Sequence, residues 1–296
     1  DLRMSRGLGD VYKRQVLIDV DKDRAEGEAM DISHGASFAG PMKIYAGGYE
    51  DVGDAAIIVI TAGANQKPNE TRLDLVQKNA KIMADVVTQI KEQEYKGILL
   101  IVSNPVDIMT QVAMEVSGFP EHRVFGSGTV LDSARLRYHL GQHLGVDSRS
   151  VHAFVIGEHG DSEIAAWSSA NVSGVPLNSF CEMRGHYNHE GNTESIEEQV
   201  KNSAYEIIAK KDATYYGIAM VVKRICQAIV RDEKSIFPIS LRMHGEYALE
   251  DVVLSMPAIV GARGIETTIP ISLDEKEVSR LHESAEMLRE TRKEIR

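Results

Sequence analysis

Two short runs of apolar, largely β-branched residues constrain the fold of this chain most strongly. Residues 55–61 (AAIIVIT) and 97–103 (GILLIVS) each have the length of one strand. Runs that are apolar on both faces are typical of strands buried on both faces of a sheet. The segment between them, residues 71–94, has helical apolar periodicity and begins with Thr71, a good N-cap. This order of strand, helix and strand predicts a parallel sheet covered by helices.

The rest of the chain divides into two regions with different patterns. Before residue 97, strands at 16–20 and 42–45 flank a charged helix at 21–34, which extends the alternation. The second half instead mixes helices with short strands, predicted at 131–144, 195–231, 275–296, 236–241, 251–259 and 266–271. We therefore predict an α/β protein: a doubly wound parallel-sheet domain (16–127), then an α+β domain (128–296). The long helical stretch is expected to break near Tyr215 and Tyr216.

The first fifteen residues differ from everything that follows. They lack apolar periodicity, and residues 10–15 back-translate to the end of a transposon adapter used in sequencing libraries. Gly7 and Gly9 imitate a phosphate-binding glycine loop, but no strand precedes them and Tyr12 occupies the third glycine position. We interpret residues 1–15 as a non-native leader.

Composition excludes several functional classes. The net charge of −11, without a long basic run, argues against a nucleic-acid-binding surface. No stretch of about 18 apolar residues is present, so no membrane span is predicted. The two cysteines show no CxxC or metal-ligand spacing, which suits a reducing compartment and predicts a cytoplasmic protein.

Polar or small residues follow several predicted strands, at the edge where open parallel sheets bind ligands. An acidic residue such as Asp19 accepts hydrogen bonds from both ribose hydroxyls of adenosine and repels a 2′-phosphate, which favours NAD over NADP. Gly63 and Ala64 would let a pyrophosphate approach the backbone. Asn104 offers an amide to a carbonyl or hydroxyl group. The alternative interpretations are a helix cap for Asp19 and an ordinary turn for Asn104.

One histidine stands out among ten. His159 lies between Gly157-Glu158 and Gly160 at the end of an apolar run, where its imidazole could reach a cleft and transfer a proton. Asp132 and Arg135 are spaced to share one face of a helix. A carboxylate stabilises imidazolium, and an arginine grips a carboxylate with two hydrogen bonds. A surface salt bridge is the alternative interpretation of that pair.

Four motifs in this order carry a resemblance to a known family. They are NQKPNETRL (65–73), SNPVD (103–107), GTVLDSAR (128–135) and IGEHGD (156–161). Together they resemble the bacterial L-lactate dehydrogenases of the lactate/malate dehydrogenase family, from residue 16 to near the end of the chain. The resemblance implies NAD-dependent hydride transfer between lactate and pyruvate, on a dinucleotide-binding (Rossmann) domain followed by an α+β catalytic domain. Against the family pattern, the first strand, its glycine loop and the following helix, one βα unit, are expected to be absent from the first domain.

The resemblance also implies roles for individual residues. His159 is the expected proton donor and acceptor, Asp132 its orienting partner, and Arg72 the residue that a closing loop brings to the substrate carbonyl. Substrate contacts are implied for Gln66, Asn104, Arg135 and Thr214. Cofactor contacts are implied for Asp19, Tyr49, Gly63, Ala64, Ser127 and Ile218.

Gln66 stands where malate dehydrogenases place an arginine against the second carboxylate of oxaloacetate. Because an unpaired buried carboxylate costs several kcal/mol, a neutral Gln66 predicts a preference for pyruvate or another 2-oxo monocarboxylate. The alternatives are a 2-hydroxy acid dehydrogenase for a bulkier side chain and a catalytically impaired fragment.

Arg137 and His152 match positions where bacterial relatives bind fructose 1,6-bisphosphate at a subunit interface. The resemblance therefore implies an allosteric activator and a homotetramer. Ordinary interface or surface positions are the alternative interpretation of both residues.

Overall fold

The computed structural model describes residues 13–38, 42–64 and 71–295. The strands are β1 (Lys13–Leu17), β2 (Met42–Ala46), β3 (Ile57–Ile60), β4 (Ile98–Ile101), β5 (Val124–Gly126), β6 (Val151–His152), β7 (Val155–Ile156), β8 (Ile164–Ala165), β9 (Asn171–Val172), β10 (Val175–Pro176), β11 (Ser235–His244), β12 (Glu250–Gly261) and β13 (Gly264–Thr268). The helices are α1 (Lys22–His34), α2 (Arg72–Glu92), α3 (Val106–Ser117), α4 (Val130–Leu144), α5 (Leu177–Met183), α6 (His189–Lys211), α7 (Tyr216–Val230) and α8 (Glu275–Glu294).

The main sheet has six strands in the order β13-β12-β11-β5-β4-β3. The parallel pairing of β3, β4 and β5 confirms the prediction drawn from the two apolar runs. All four residues of β4 are buried, as expected for a central strand. The sheet then continues into the second half of the chain, because β11 pairs antiparallel with β5 at Ser240 and Gly126. The two predicted domains therefore share one sheet.

A second, two-stranded parallel sheet joins β1 to β2, with Lys13 opposite Met42 and Leu17 opposite Ala46. The predicted strand at 16–20 is wrong in position: β1 ends at Leu17, and Val20 is fully exposed. Residues 13–15, assigned to the leader, lie inside β1. The prediction from apolar content misplaced this strand, because pairing of its backbone with β2, rather than burial of its side chains, decides where it begins and ends.

Capping residues place the helix boundaries. Thr71 and Asp74 form a reciprocal capping box at the start of α2, which confirms the predicted N-cap. The predicted break in the long helical stretch is also confirmed, since α6 ends at Lys211 and α7 begins at Tyr216. Asp212 closes α6 in the left-handed conformation (φ 64°) and donates its N–H to the Ile208 carbonyl. A short polar residue such as aspartate tolerates that conformation, which glycine most often adopts at a helix end.

Two buried clusters hold the molecule together. The larger one surrounds β4 and packs α2, α3, α7 and α8 against the main sheet. The smaller one lies between α4, the short strands β6 to β9 and the helices α5 and α6. Helix α4 contributes to both, which places its N-terminal turn at their junction. Within the described residues, no helix combines the length and apolarity needed to cross a membrane.

Candidate active site

His159 lies in the turn after β7, and this turn is fixed by backbone contacts. Gly157 exchanges two hydrogen bonds with Ser255 of β12, at 2.9 and 2.8 Å. Gly157 also has a positive φ of 85°, and a Cβ there would lie 2.7 Å from the Ile164 side chain. The chain can therefore turn sharply at this point only with glycine, and the turn presents the next residues to one side of the sheet.

Asp132 reaches the same point from the first turn of α4. Its Oδ2 lies 2.7 Å from His159 Nδ1, and the residue is 2% exposed. Helix α4 is joined to β7 by two hydroxyls: Thr129 donates to the Val155 carbonyl, and Ser133 accepts the Val155 N–H. The predicted pairing of Asp132 with His159 is thus present, across 27 residues of sequence.

The surroundings of His159 favour its protonated form. Burial lowers its pKa, but attraction to Asp132, the hydrogen bond between them and the charges of Asp107 and Glu163 outweigh it, so the pKa rises to about 9. The imidazole side chain is nevertheless 26% exposed. A protonated ring with an open side is suited to donate a proton to a bound molecule.

Arg135 points toward the same cluster, with Nη1 at 2.8 Å from Asp132 Oδ1. Its side chain is 13% exposed. Asp132 is therefore hydrogen-bonded to both His159 and Arg135, one on each carboxylate oxygen. The guanidinium has five N–H donors, so one bond to Asp132 leaves capacity for a substrate carboxylate.

Asp107 supports the turn from behind, a role that the sequence analysis did not assign. Its carboxylate accepts the His159 backbone N–H at 2.8 Å and the Ser240 hydroxyl at 2.6 Å. Burial raises its pKa to about 6, although both hydrogen bonds and His159 oppose the rise. This carboxylate joins α3, β11 and the His159 turn at one point. Its place in SNPVD was visible, but its partners lie 52 and 133 residues away.

Glu163 is a second residue that the sequence analysis missed. It is 5% exposed, and ligating atoms of Asp132, His159 and Glu163 all lie within 4.8 Å of one another. Burial, followed by repulsion from Asp132, raises its pKa to about 8 against the opposing charges of His159 and Lys201. Its position four residues after His159 was the only signal available from sequence.

The predicted cofactor residues follow the strand ends of the parallel sheets. Asp19 is exposed two residues beyond β1, and its Oδ1 accepts the Asp21 N–H at 3.0 Å. Asp21, rather than Asp19, caps α1, which removes the alternative interpretation of Asp19. Tyr49 is half-buried after β2, whereas Gly63 is exposed and Ala64 half-buried after β3.

The segments that follow β4 and β5 are more closely packed. Ser127 is buried after β5, and its N–H bonds to the Ile101 carbonyl at 2.8 Å. Asn79 of α2 ties two strand ends together: its side chain accepts the Ala64 N–H at 2.8 Å and donates to the Asn104 carbonyl at 3.1 Å. The Asn104 residue itself is exposed. Asn79 was not singled out from sequence.

These residues fit NAD by the chemistry of their donors and acceptors. An exposed carboxylate at Asp19 can accept the ribose hydroxyls and disfavours a 2′-phosphate. Small residues at Gly63 and Ala64 leave the backbone open after β3. Ile218, half-buried in the first turn of α7 and packed against the main core, offers an apolar face for a nicotinamide ring. Thr214 is half-buried in the link before α7.

Several predicted residues lie elsewhere or outside the described part of the chain. Gln66 lies outside the described residues, and so does the side chain of Arg72, whose backbone begins α2. Arg137 is half-buried on α4, donates Nε–H to the Ser133 carbonyl at 3.2 Å, and has a pKa lowered by burial. His152 is exposed on β6.

Comparisons with known proteins agree with this geometry. Residues 2–126 match the lactate/malate dehydrogenase NAD binding domain, and residues 129–296 match the alpha/beta C-terminal domain of the same family. The chain is 48% identical to an L-lactate dehydrogenase of Thermoanaerobacter sp. (strain X514), over 97% of this chain and 93% of the relative. It is also 48% identical to an L-lactate dehydrogenase of Acetivibrio thermocellus, covering 96% and 89%.

Solved structures give the same result. A lactate dehydrogenase from a Medee basin deep-sea metagenome library superposes with a TM-score of 0.93 at 46% identity, covering 95% of this chain and 90% of that one. The minor L-lactate dehydrogenase of Enterococcus mundtii, in its ligands-bound form, also gives 0.93, at 41% identity and coverages of 97% and 91%. With its two matched domains and its hydrogen-bonded histidine–aspartate pair, the chain belongs to the lactate/malate dehydrogenase family of NAD-dependent oxidoreductases.

Proposed function

We propose that this chain catalyses reversible hydride transfer between L-lactate or pyruvate and NAD(H). The observation that carries the proposal is the His159–Asp132–Arg135 arrangement, in which one carboxylate holds a protonatable imidazole and a guanidinium side by side. Pyruvate presents a carbonyl that needs a proton and a carboxylate that needs a cation. The two groups on either side of Asp132 supply one partner for each.

The residues of the site divide this work between them. Bound NADH supplies the hydride. His159, as imidazolium, polarises the carbonyl and donates its proton to the developing alkoxide, and in the reverse direction the neutral ring accepts that proton. Asp132 orients the ring and stabilises its charge, as the aspartate of a hydrolytic triad does. Arg135 binds the substrate carboxylate, and Arg72 with Asn104 is proposed to assist at the carbonyl oxygen.

Substrate preference is proposed to rest on Gln66. A neutral amide leaves the second carboxylate of oxaloacetate unpaired, which costs several kcal/mol, or about a thousandfold in discrimination. Steady-state kinetics of the wild type and Gln66→Arg test this. The variant should gain at least about a hundredfold in kcat/KM for oxaloacetate relative to pyruvate. A Lys67→Arg variant adds the same group one position away and serves as control. No gain for oxaloacetate in the first variant contradicts the assignment.

The rival functions are separated by the same spectrophotometric assay of NADH oxidation. A higher kcat/KM for 2-oxoisocaproate than for pyruvate indicates a dehydrogenase for bulkier 2-hydroxy acids. No turnover of any 2-oxo acid favours the remaining interpretation, a catalytically impaired fragment. The identity of 46–48% to proteins described as lactate dehydrogenases supports the active enzyme.

We further propose a cytoplasmic homotetramer activated by fructose 1,6-bisphosphate through Arg137 and His152. Two observations support this proposal. The guanidinium of Arg137 is half-buried, and burial lowers its pKa. His152 is exposed on the neighbouring strand β6. Cations that face a symmetry mate repel one another until a phosphate lies between them. Titration of fructose 1,6-bisphosphate at sub-saturating pyruvate should lower the apparent KM, and Arg137→Gln should abolish the change. An unchanged KM in the wild type counts against activation.

A further inference from the structure

A third acidic side chain stands beside the catalytic pair. Glu163 lies just before β8, in the segment that returns from the His159 turn. Its backbone is held at both ends: its N–H bonds to the Gly160 carbonyl at 3.2 Å, and its own carbonyl accepts Arg280 of α8 at 3.3 Å. Its side chain is buried and placed within 4.8 Å of the reactive atoms of His159 and Asp132. The position is therefore fixed by the fold.

Charges face Glu163 from every element packed around it. Helix α4 brings Asp132 and Arg135, and the turn brings His159. Lys201 faces it from α6, where it pairs with Glu197 at 3.4 Å. Glu197 in turn binds Arg280 and accepts the Trp167 indole N–H.

Two buried carboxyl groups next to one imidazole cannot both be charged without cost. Asp132 has the direct hydrogen bonds to His159 and Arg135, so it keeps its negative charge. Among the described residues Glu163 forms no ion pair, since Lys201 pairs with Glu197 and acts on Glu163 only through its charge, so burial leaves Glu163 to carry the proton. The same division between two neighbouring carboxyl groups is seen wherever like charges share a site.

We propose that Glu163 is the third member of this proton-holding cluster, a positioning residue that acts through Asp132 and His159 and sets the pH range over which the imidazolium persists. The inference rests on the proposed pyruvate–lactate activity and deepens it. At neutral pH Glu163 is a neutral acid and adds no charge. As pH rises it ionises, and the new negative charge holds the proton on His159 in the range where an isolated pair would lose it.

The sign of the effect differs between the two directions of reaction. Pyruvate reduction needs the imidazolium, so ionised Glu163 extends it to higher pH. Lactate oxidation needs the neutral ring, so ionised Glu163 delays its rise with pH. Glu163→Gln keeps the shape of the neutral acid but cannot ionise. In this variant, the fall of pyruvate reduction with rising pH and the rise of lactate oxidation with rising pH should therefore both move to lower pH by about one unit.

Kinetics across pH 6 to 10 test the proposal. For pyruvate, kcat/KM of Glu163→Gln should fall below that of the wild type by less than about threefold at pH 6.5 and by about tenfold at pH 9.5. Glu277→Gln is the matched control, since Glu277 is equally buried at 5% but caps α8 and binds the Ser168 N–H. Glu277→Gln should lower the melting temperature and leave the pH dependence of both reaction directions unchanged. An equal loss at every pH for Glu163→Gln indicates a structural role and overturns the proposal.

A measurement on the wild-type protein avoids any dependence on folding of the variant. The imidazole C2 proton of His159, assigned by comparison with His159→Gln, should titrate in two steps, because Glu163 and His159 lose their protons in adjacent pH ranges. A single step overturns the proposal. Absence of NADH oxidation by the wild type with any 2-oxo acid would count against the proposed function instead, and the two-step titration would still report on the cluster.

Discussion

The two parts of the proposed site are built by different means. In the first part, which we call the catalytic junction, hydrogen bonds of 2.6 to 2.8 Å join Asp107, Asp132, His159 and Ser240. Three of these four residues are almost fully buried. The second part, which we call the strand-end row, consists of Asp19, Tyr49, Gly63 and Ala64. All four residues are exposed or half-buried. The members of this row project from β1, β2 and β3, which belong to two separate sheets.

The difference shows where precision is needed. Proton transfer requires a ring held in one orientation and one protonation state, and buried hydrogen bonds to charged groups provide both. A dinucleotide is instead recognised over a long surface by several weak contacts, so each residue of the row can remain partly solvated. Changes at the junction should therefore affect rate and stability together, whereas changes in the row should affect cofactor affinity alone.

The largest effect is expected at the junction for Asp132→Asn. Without the carboxylate, burial dominates and the pKa of His159 falls from about 9 to below its ordinary value. At pH 8, kcat/KM for pyruvate should drop by about a hundred- to a thousandfold and recover partly below pH 6. The pH profile of NADH oxidation checks this prediction. A loss of kcat/KM under tenfold at pH 8 would contradict the proposed difference between the catalytic junction and the strand-end row.

The same pair should make stability depend on pH. Because the pKa of His159 is raised in the folded protein to about 9, the stabilisation from its proton is complete below the unfolded value near 6.5. It is lost as pH rises through about 9. Urea unfolding of the wild type and Asp132→Asn should therefore differ most below pH 6.5, and their difference should shrink above pH 9.

A second change at the junction, Asp107→Asn, tests whether the turn depends on its support. The amide can still accept the Ser240 hydroxyl, but an amide NH₂ group would then face the His159 N–H. The free energy of unfolding should decrease by about 1–3 kcal/mol. Ser240→Ala, which removes only the other partner, is the matched control and should cost less. Denaturant titration measures both, and equal stability of Asp107→Asn and the wild type would contradict the role.

In the strand-end row, Asp19→Ala should separate affinity from stability. The KM for NADH should rise about tenfold, because charged hydrogen bonds to the ribose are lost. NADPH should become relatively better, since the repulsion of its 2′-phosphate is removed. The free energy of unfolding should stay within about 0.5 kcal/mol of the wild type. A large loss of stability would show that the row is as integrated as the junction.

The smallest effect is expected for Thr71→Ala, at the start of α2. Loss of the capping box with Asp74 should reduce the free energy of unfolding by about 1 kcal/mol. Thr88→Ala on the same helix provides a control, since its hydroxyl bonds only the Ala84 carbonyl. An unchanged midpoint for Thr71→Ala would show that α2 is fixed by packing alone.

Local patterns predicted much of this structure. The apolar runs gave β3 and β4, Thr71 gave the start of α2, and the spacing of Asp132 and Arg135 placed both on one turn of α4. The resemblance implied that Asp132 lies beside His159, and the two residues are hydrogen-bonded across 27 residues of sequence. These predictions succeed because periodicity, capping and motif chemistry depend on residues close in sequence, or on a family pattern already complete in the chain.

Other features could not be read in the same way. The position of β1 depends on its pairing with β2, and the joining of both domains in one sheet depends on the contact of Ser240 with Gly126. The support from Asp107 and the approach of Glu163 to the pair likewise require separate elements to meet. None of these leaves a periodic or compositional signal.

The sequence by itself therefore determined the fold class, the family and the proposed catalytic pair, because each rests on local patterns or on motifs shared with the family. Only the tertiary structure decided how many carboxyl groups surround His159. Burial and distance, which set the cost of placing charges together, exist only once α3, α4, α6, α8 and the His159 turn are packed against one another.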